Sequence, residues 1–183
     1  DFVFMATGLN HYVWGTQVYH KGNEVMQTLL PQLMANDDYN PKNIGDTPFD
    51  PEQIRKMGLM PCYYHAYYYL EEEKLAHALE DYAHNGTRAE VVKRVEHALF
   101  EKYKDPNLSE KPVELEQRGG AYYSDAACSL INDLYNDART LMIVDVQNNQ
   151  THPYLPADAV IETTCLITSA GPIPLTIQPL PDF

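Results

Sequence analysis

Three short stretches of the sequence hold side chains that could do chemistry. The first is TGLNH, residues 7–11, which places Asn10 and His11 together at the end of an apolar, strand-like run, where side chains can meet a ligand. Imidazole is the commonest metal ligand, but one histidine supplies only one bond. Taken alone, the stretch favours a hydrogen-bonded structural role for His11 over a metal-binding one.

The second stretch is MPCYYHAYYYL, residues 60–70, which holds five of the 14 tyrosines. Tyrosine joins an apolar ring to a polar tip, so most of the five are expected to pack and hydrogen-bond at the start of a helix. A phenol beside a cation can also act as a base, because the positive charge favours the phenolate. Cys62 and His65 have C-x-x-H spacing, but a metal site would need a second pair of ligands, so a buried thiol and a helix-face imidazole are favoured.

The third stretch is RGG, residues 118–120, directly before a predicted helix. The two glycines could turn backbone amides toward an anion at the helix N-terminus, and Arg118 offers a guanidinium suited to phosphate or carboxylate. A tight turn with a surface arginine explains the same residues equally well. The sequence contains no G-x-G-x-x-G, P-loop, H-E-x-x-H or G-x-S-x-G motif, which excludes a self-contained nucleotide site.

The elements that must position these residues mix strands and helices without regular alternation, which indicates an α+β fold. Strands are predicted over residues 2–6 and 12–19, as a hairpin, and over TLMIVDVQNN and AVIETTCLIT, joined by a turn around residues 153–158. Five helices are predicted: from a cap at Asn23 to about Asn36; from Pro51 to Gly58, with a cap at Asp50; from Tyr63 to about His84; from the Thr87–Glu90 capping box to about Tyr103; and from about Ser124.

Helical periodicity predicts which residues share a face. In the fourth helix the buried stripe is expected to be Val91, Val95, Leu99 and Tyr103. The third and fourth helices are expected to form a helical hairpin around HNGT, with the run of three glutamates at 71–73 on a solvated face. The segment 37–48 is predicted to be a loop, and the small residues of the last helix are expected to permit close packing.

Composition limits the partners. The chain has 26 acidic and 13 basic residues, a net charge of −13, so nucleic acid and anionic membranes would be repelled. No apolar run is long enough for a membrane span and no leader is recognised, so we expect a cytoplasmic protein. Cys62, Cys128 and Cys165 are widely spaced and expected to be reduced. Neither end resembles a natural terminus, so residues 1–183 are expected to be one domain cut from a longer protein.

Four stretches, in this order, resemble the central and C-terminal part of the family 4 glycoside hydrolases, and above all its bacterial 6-phospho-β-glucosidases: GLNHYVW, MPCYYHAYYY, RGGAYYSDAACSLINDLYND and LPADAVIETTC. The likeness covers nearly the whole chain. It implies a substrate- and metal-binding C-terminal domain like that of the lactate and malate dehydrogenases. It also implies that NAD is bound mainly by an N-terminal domain outside this chain, which leaves no cofactor-binding residue here.

The resemblance implies hydrolysis of a phosphorylated disaccharide or β-glucoside by oxidation and elimination, an exception to the two-carboxylate scheme. NAD takes hydride from sugar carbon 3, a divalent metal such as manganese polarises the new carbonyl, and a base removes the proton on carbon 2. The leaving group departs from carbon 1, water adds and hydride returns. Members of the family commonly assemble as dimers or tetramers, so a homo-oligomer is expected.

Motif positions of the family fall on particular residues. His11 corresponds to a metal ligand, whose usual partner is a cysteine of a Cys-Asn pair that would precede residue 1. Tyr64 corresponds to the proton-abstracting tyrosine, with Tyr63 as the off-by-one alternative. Arg118 corresponds to a substrate-contacting arginine, with the 6-phosphate as one target, and Asn10 is expected to contact substrate beside His11. Position 66 departs from the pattern, because the family has arginine where this chain has alanine.

Two kinds of alternative remain open. Among enzymes they are a phospho-α-glucosidase, a uronidase or a 2-hydroxy-acid dehydrogenase of the same lineage. The alternative from another class is a non-catalytic oligomerisation or sugar-binding module, suggested by an acidic chain without a complete active site. In either case the isolated chain is expected to be inactive, since it has no NAD site and no second metal ligand.

Overall fold

The computed structural model describes residues 2–34, 49, 51–118 and 122–176. As predicted, the fold is α+β, with an antiparallel sheet and several helices. The strands are β1 (Phe2–Leu9), β2 (Tyr12–His20), β3 (Asn23–Glu24), β4 (Met60–Pro61), β5 (Leu141–Gln147), β6 (Val160–Thr168) and β7 (Gly171–Pro174). The helices are α1 (Met26–Met34), α2 (Pro51–Met57), α3 (Ala66–Tyr69), α4 (Glu71–Asn85), α5 (Arg88–Lys102), α6 (Glu114–Arg118) and α7 (Tyr123–Asn136), with a 3-10 turn over Tyr63–His65.

The sheet has the strand order β3-β2-β1-β6-β5, with β4 paired to β2 and β7 paired to β6. Strand β6 lies at its centre, pairing with β5 along its length and with β1 through Thr7–Thr163 and Gly8–Glu162. Its β-branched and apolar sequence suits a strand buried on both faces, and the consecutive residues Thr163, Thr164 and Cys165, whose side chains alternate between the faces, are all buried. Both predicted strand pairs are confirmed; the short strands β3, β4 and β7 were not predicted, because two to four residues carry no alternation.

The cap predicted at Asn23 is wrong. Asn23 lies in strand β3, after a tight turn at Lys21–Gly22, and its backbone pairs with His20 of β2. Helix α1 begins at Met26, whose N–H donates to the Glu24 carboxylate at 2.8 Å. The predicted helix end at Asn36, the loop 37–48 and the cap at Asp50 lie outside the described residues. Helix α2 ends as predicted, before Gly58 in the left-handed region (φ +67°).

The prediction of one continuous helix over residues 63–84 is also wrong, because the helix is interrupted at Leu70, whose backbone is not helical (φ −130°, ψ 50°). His65 and Ala66 are both fully buried before the break, whereas α4 buries none of its residues. Leu75 and Leu79, which lie one turn apart on α4, are both exposed. Tertiary burial at His65 and Ala66 therefore outweighs the helical periodicity of the longer segment.

The capping box at the start of α5 is confirmed: the Thr87 hydroxyl accepts the Glu90 N–H, and the Glu90 carboxylate accepts the Thr87 N–H at 2.7 Å. Val95 and Leu99 are buried as predicted, but Tyr103 is not part of a buried stripe, since it lies at the helix end and is 48% exposed. Helices α4 and α5 follow one another across the predicted turn without packing along their lengths, and α5 packs instead against α6.

Helix α7 begins one residue before the predicted Ser124 and contacts β6. The small residues in its first turns are exposed, so the close packing expected of them is not seen among the described residues. Its buried residue is Asp133, which accepts a short hydrogen bond from the Thr140 hydroxyl and ties the helix to the start of β5. None of the helices in the described part of the chain has the length and apolar character needed to cross a membrane.

Candidate active site

A two-residue turn, Asn10–His11, joins β1 to β2 at one end of the sheet. His11 lies in the left-handed region (φ +63°), which costs a non-glycine residue roughly 1–2 kcal/mol. Beside the turn only glycine fits at position 8, because a Cβ there would lie 2.2 Å from the carbonyl oxygen of Tyr12. Backbone strain of this kind clusters at functional sites, where the surrounding structure holds it in place.

The ring of Tyr64 stacks on the ring of His11. Their centroids are 4.7 Å apart and the ring planes differ by 25°. Tyr64 is carried by the 3-10 turn that follows β4, and β4 pairs with β2 through Trp14–Pro61, while the Cys62 N–H donates to the Val13 carbonyl at 3.2 Å. The two residues that carry the predicted metal and base roles, distant in sequence, are thus brought together by one strand pairing.

His65 anchors the same 3-10 turn from below. Its ring is fully buried between Tyr12 and Trp14, with centroid distances of 4.3 and 4.2 Å. Neither ring nitrogen has a hydrogen-bond partner in the described chain. Burial lowers the pKa of His65 to about 4, so the imidazole is neutral at pH 7. The sequence favoured a helix-face imidazole at His65 and a buried thiol at Cys62. The structure instead buries the His65 ring fully and leaves Cys62 half-buried.

The tyrosines around this turn differ in whether their hydroxyl is hydrogen-bonded within the described residues: those of Tyr12, Tyr63 and Tyr69 are, and that of Tyr64 is not. Tyr63 accepts a hydrogen bond from the Lys74 ammonium at 2.9 Å, and that cation also lies 4.6 Å from the Tyr63 ring centroid. The hydroxyls of Tyr12 and Tyr69 bond to each other at 2.8 Å, and burial, helped by Tyr69, raises the pKa of Tyr12 to about 12. Tyr64 is half exposed, and within the described residues its hydroxyl makes no hydrogen bond, so it is free to act on a ligand.

Two carboxylates next to the turn were not singled out from the sequence. Asp145 on β5 and Glu162 on β6 are direct cross-strand neighbours, and the side-chain amide of Asn10 donates to both, at 3.3 and 3.1 Å. Burial, and then the charge of Asp145, raises the pKa of Glu162. The signal that could have revealed them is an acid in the middle of each apolar strand, LMIVDVQ and VIETTC.

The remaining predicted residues are placed as follows. Asn10 is exposed, and its amide nitrogen is bound to the two carboxylates rather than offered to a ligand. Arg118 is the last residue of α6, and the two glycines that follow it lie outside the described residues, so the anion cradle of the RGG stretch stays a prediction. Ala66, where the resemblance led us to expect an arginine, is fully buried in a core cluster with Val18 and Ile54.

A metal or NAD fits this chain only in part. Among the described residues no three His, Cys, Asp or Glu side chains form a group that could hold a metal ion. The exposed His11 ring, whose nitrogens make no hydrogen bond to the described chain, fits as one ligand of a site completed from elsewhere. Every strand pairing described is antiparallel, so the sheet contains no parallel βαβ unit of the kind that binds dinucleotides.

Comparison with known proteins adds to this geometry. Residues 6–183 match the model of the family 4 glycosyl hydrolase C-terminal domain. A Bacillus subtilis protein named probable 6-phospho-β-glucosidase is 44% identical over 177 residues, which are 95% of this chain and 40% of that protein. A 6-phospho-β-glucosidase of Escherichia coli is 44% identical over 172 residues, covering 91% of this chain and 38% of its own length.

A solved structure has the same fold. The 6-phospho-β-glucosidase of Thermotoga maritima, determined with manganese, NAD+ and glucose 6-phosphate, superposes with a TM-score of 0.78 at 30% identity. The superposition covers 97% of this chain and 40% of that one. The chain therefore spans about 40% of the length of the relatives it matches.

Proposed function

The chain belongs to the family 4 glycosyl hydrolases, and on that premise we propose that it is the substrate- and metal-binding part of an NAD- and divalent-metal-dependent 6-phospho-β-glucosidase. The relatives that share 44% of its residues carry that name. The solved relative holds manganese, NAD+ and glucose 6-phosphate. The observation that carries the proposal is the stacking of Tyr64 on His11 at 4.7 Å.

Tyr64 is the proposed base for the proton on sugar carbon 2. Its hydroxyl is unengaged among the described residues and its ring is half exposed, so the phenolic oxygen can approach a bound sugar and hold the abstracted proton. Tyr63 has a cation beside its hydroxyl, the Lys74 ammonium at 2.9 Å, which favours the phenolate, so it stays the alternative base. Tyr64 is preferred because, among the described residues, it is the tyrosine that stacks on the His11 ring. When bound, NAD would supply a hydride acceptor and a metal such as manganese would supply Lewis acidity, with His11 as one ligand.

Substrate contacts complete the proposed site. Asn10 has an amide oxygen that accepts no hydrogen bond within the described residues, and this oxygen is the atom proposed to meet a sugar hydroxyl. Arg118 is proposed to meet the substrate, with its 6-phosphate as a suitable anionic group. The proposal includes a single domain over residues 1–183, assembly as a homo-oligomer and a cytoplasmic location.

The test is an assay of the full-length protein that carries this chain. It is expected to release the aglycone from a β-linked 6-phosphoglucoside only when NAD+ and a divalent metal are both supplied, and the isolated 183-residue chain is expected to release none. A 6-phospho-α-glucoside and the non-phosphorylated β-glucoside serve as matched controls. Turnover of either control in preference to the phosphorylated β-glucoside would contradict the proposal.

A further inference from the structure

We infer that Glu162, assisted by Asp145, is a positioning residue for His11: the two carboxylates hold the turn Asn10–His11 and thereby set the direction of the imidazole against Tyr64. The metal-binding role of His11 comes from the proposed function. The hold on the turn stands on the contacts of the described residues.

The first step is the pairing of like charges. Asp145 and Glu162 lie directly opposite one another on β5 and β6, an arrangement that destabilises a sheet when nothing offsets it. The amide of Asn10 offsets it, because its two N–H groups can donate one to each carboxylate, at 3.3 and 3.1 Å. Asn10, Asp145 and Glu162 thus form one connected polar group.

The second step is the position of Glu162 beneath the turn. The β1–β6 pairing sets it opposite Gly8, two residues before Asn10. Its carboxylate accepts an N–H of the Asn10 side chain at 3.1 Å, the shorter of the two bonds that this amide makes. Glu162 is therefore tied to the turn both by its strand pairing with β1 and by its side chain, whereas Asp145 is tied to it by its side chain alone.

The third step links the turn to the ring. His11 is a non-glycine residue in the left-handed region, a backbone conformation whose cost the surrounding structure must offset. Glu162 holds the side chain of the neighbouring Asn10, and Tyr64 lies on one face of the His11 ring. Among the described residues His11, Asp145 and Glu162 do not form a group of three that could hold a metal ion. The role of the two carboxylates is to orient the imidazole, as outer groups commonly do for metal-binding histidines.

The experiment uses the full-length protein without metal, with its histidines isotopically labelled. The ring-proton signals of His11 should carry the ring-current shift of Tyr64, identified by its loss in Tyr64→Ala. Glu162→Ala is expected to move these signals toward the Tyr64→Ala positions, and Asp145→Ala to move them less. Glu116→Ala, at an exposed residue of α6, is the matched control and should leave them unchanged.

Two further readouts separate orientation from general stability. Manganese affinity is expected to fall by about 10- to 100-fold in Glu162→Ala, the range typical of residues that orient a metal ligand. Glu162→Gln, a milder change should the alanine variant not fold, turns an amide toward the amide of Asn10. The double change N10D/E162Q restores one donor and one acceptor, so it should recover part of the affinity and of the His11 shift.

The outcomes are distinct. The inference is overturned if the His11 signals are unchanged in both Glu162 variants. It is also overturned if His11→Ala weakens manganese binding but both Glu162 variants bind manganese within about twofold of wild type. If His11→Ala binds manganese as tightly as wild type, the metal role in the proposed function fails. The ring signals then decide the inference alone: moved signals support it and unmoved signals overturn it.

Discussion

Strand β2 has a tight turn at each end, and the two turns are built differently. The turn Asn10–His11 before it places histidine in the left-handed region (φ +63°), whereas the turn Lys21–Gly22 after it uses φ +50° and +81° with glycine at the second position. A Cβ on Gly22 would meet nothing within 4 Å. The first turn is held by side chains from β5 and β6 and by the ring of Tyr64.

The difference separates a turn encoded locally from one that depends on the rest of the fold. Gly22 adopts the left-handed region at no steric cost, whereas Lys21, like His11, is a non-glycine residue there. The Lys21–Gly22 turn therefore has glycine at one of its two left-handed positions, and the site turn, Asn10–His11, does not. His11 is strained, and its neighbour Asn10 is held by residues more than a hundred positions away. A strained turn supported in this way presents its side chain in a fixed direction, which suits a site and not a simple connection.

The largest effect should come from replacing His11 of the first turn with alanine, and the same replacement at Lys21 of the second turn is its control. In the full-length protein, His11→Ala is expected to lower kcat/KM by more than about 100-fold, beyond the loss typical of residues that only orient a metal ligand. Lys21→Ala, at a left-handed position of the other turn, removes no proposed ligand and should leave kcat/KM unchanged. Steady-state kinetics at saturating NAD+ and manganese measures both, and equal losses in the two variants would remove the functional distinction between the turns.

The glycines beside the turns should differ in stability. Gly8→Ala would drive a Cβ into the Tyr12 carbonyl, 2.2 Å away, and is expected to cost about 3 kcal/mol in free energy of unfolding. Gly22→Ala has open space and only the cost of a left-handed conformation, about 1 kcal/mol. Urea unfolding of both variants gives the comparison, and a Gly8→Ala protein as stable as Gly22→Ala would mean that the backbone at the site turn is free to move.

A pH effect should arise from His65, which packs on Tyr12 directly after the site turn. Its pKa is about 4 in the folded chain, below the reference value of about 6.5 for an unfolded one, so folding favours the neutral ring. The stabilisation that comes from keeping the His65 ring neutral is present in full above about pH 6.5. As the pH falls toward 4 it is lost, and the free energy of unfolding decreases by up to about 3 kcal/mol. His65→Phe should flatten that part of the stability profile.

His152 provides the internal control for the His65 measurement. Burial also lowers its pKa, and its ring is bonded to the Thr7 hydroxyl at 2.6 Å and to the Tyr154 hydroxyl at 2.9 Å. Its contribution is the same in wild type and in His65→Phe, so the difference between the two unfolding profiles isolates His65. Parallel profiles from pH 7 to pH 4 would mean that His65 finds a partner that stabilises its charged form.

Sequence was a good guide wherever the signal was local. The capping box at Thr87 and Glu90, the hairpin around residues 10 and 11 and the start of α7 are set by residues that are neighbours in the chain. The break at Leu70 and the strand pairing of Asn23 depend on what their neighbours in space bury, and periodicity carries no information about that. Local patterns therefore gave the type of most elements but not the position at which the helix predicted over residues 63–84 is interrupted.

The candidate site shows the same division. Motif positions pointed to His11 and Tyr64, and the sheet brings their rings together. The carboxylates of Asp145 and Glu162 were missed, because their meeting with Asn10 requires the β1–β6 and β5–β6 registers, which a single sequence does not specify. Arg118 stays a prediction, since the residues after it are outside the described part of the chain.

The proton-abstracting role of Tyr64 is tested most directly by turnover in deuterium oxide. The full-length protein, with NAD+ and manganese, should release glucose 6-phosphate carrying solvent deuterium at carbon 2. Tyr64→Phe is expected to slow this release by about 10²- to 10⁴-fold, the contribution typical of a general base, while Tyr63→Phe retains both rate and label. Release by Tyr64→Phe at the wild-type rate, with deuterium still entering carbon 2, would show that another group takes the proton and would contradict the assignment of Tyr64.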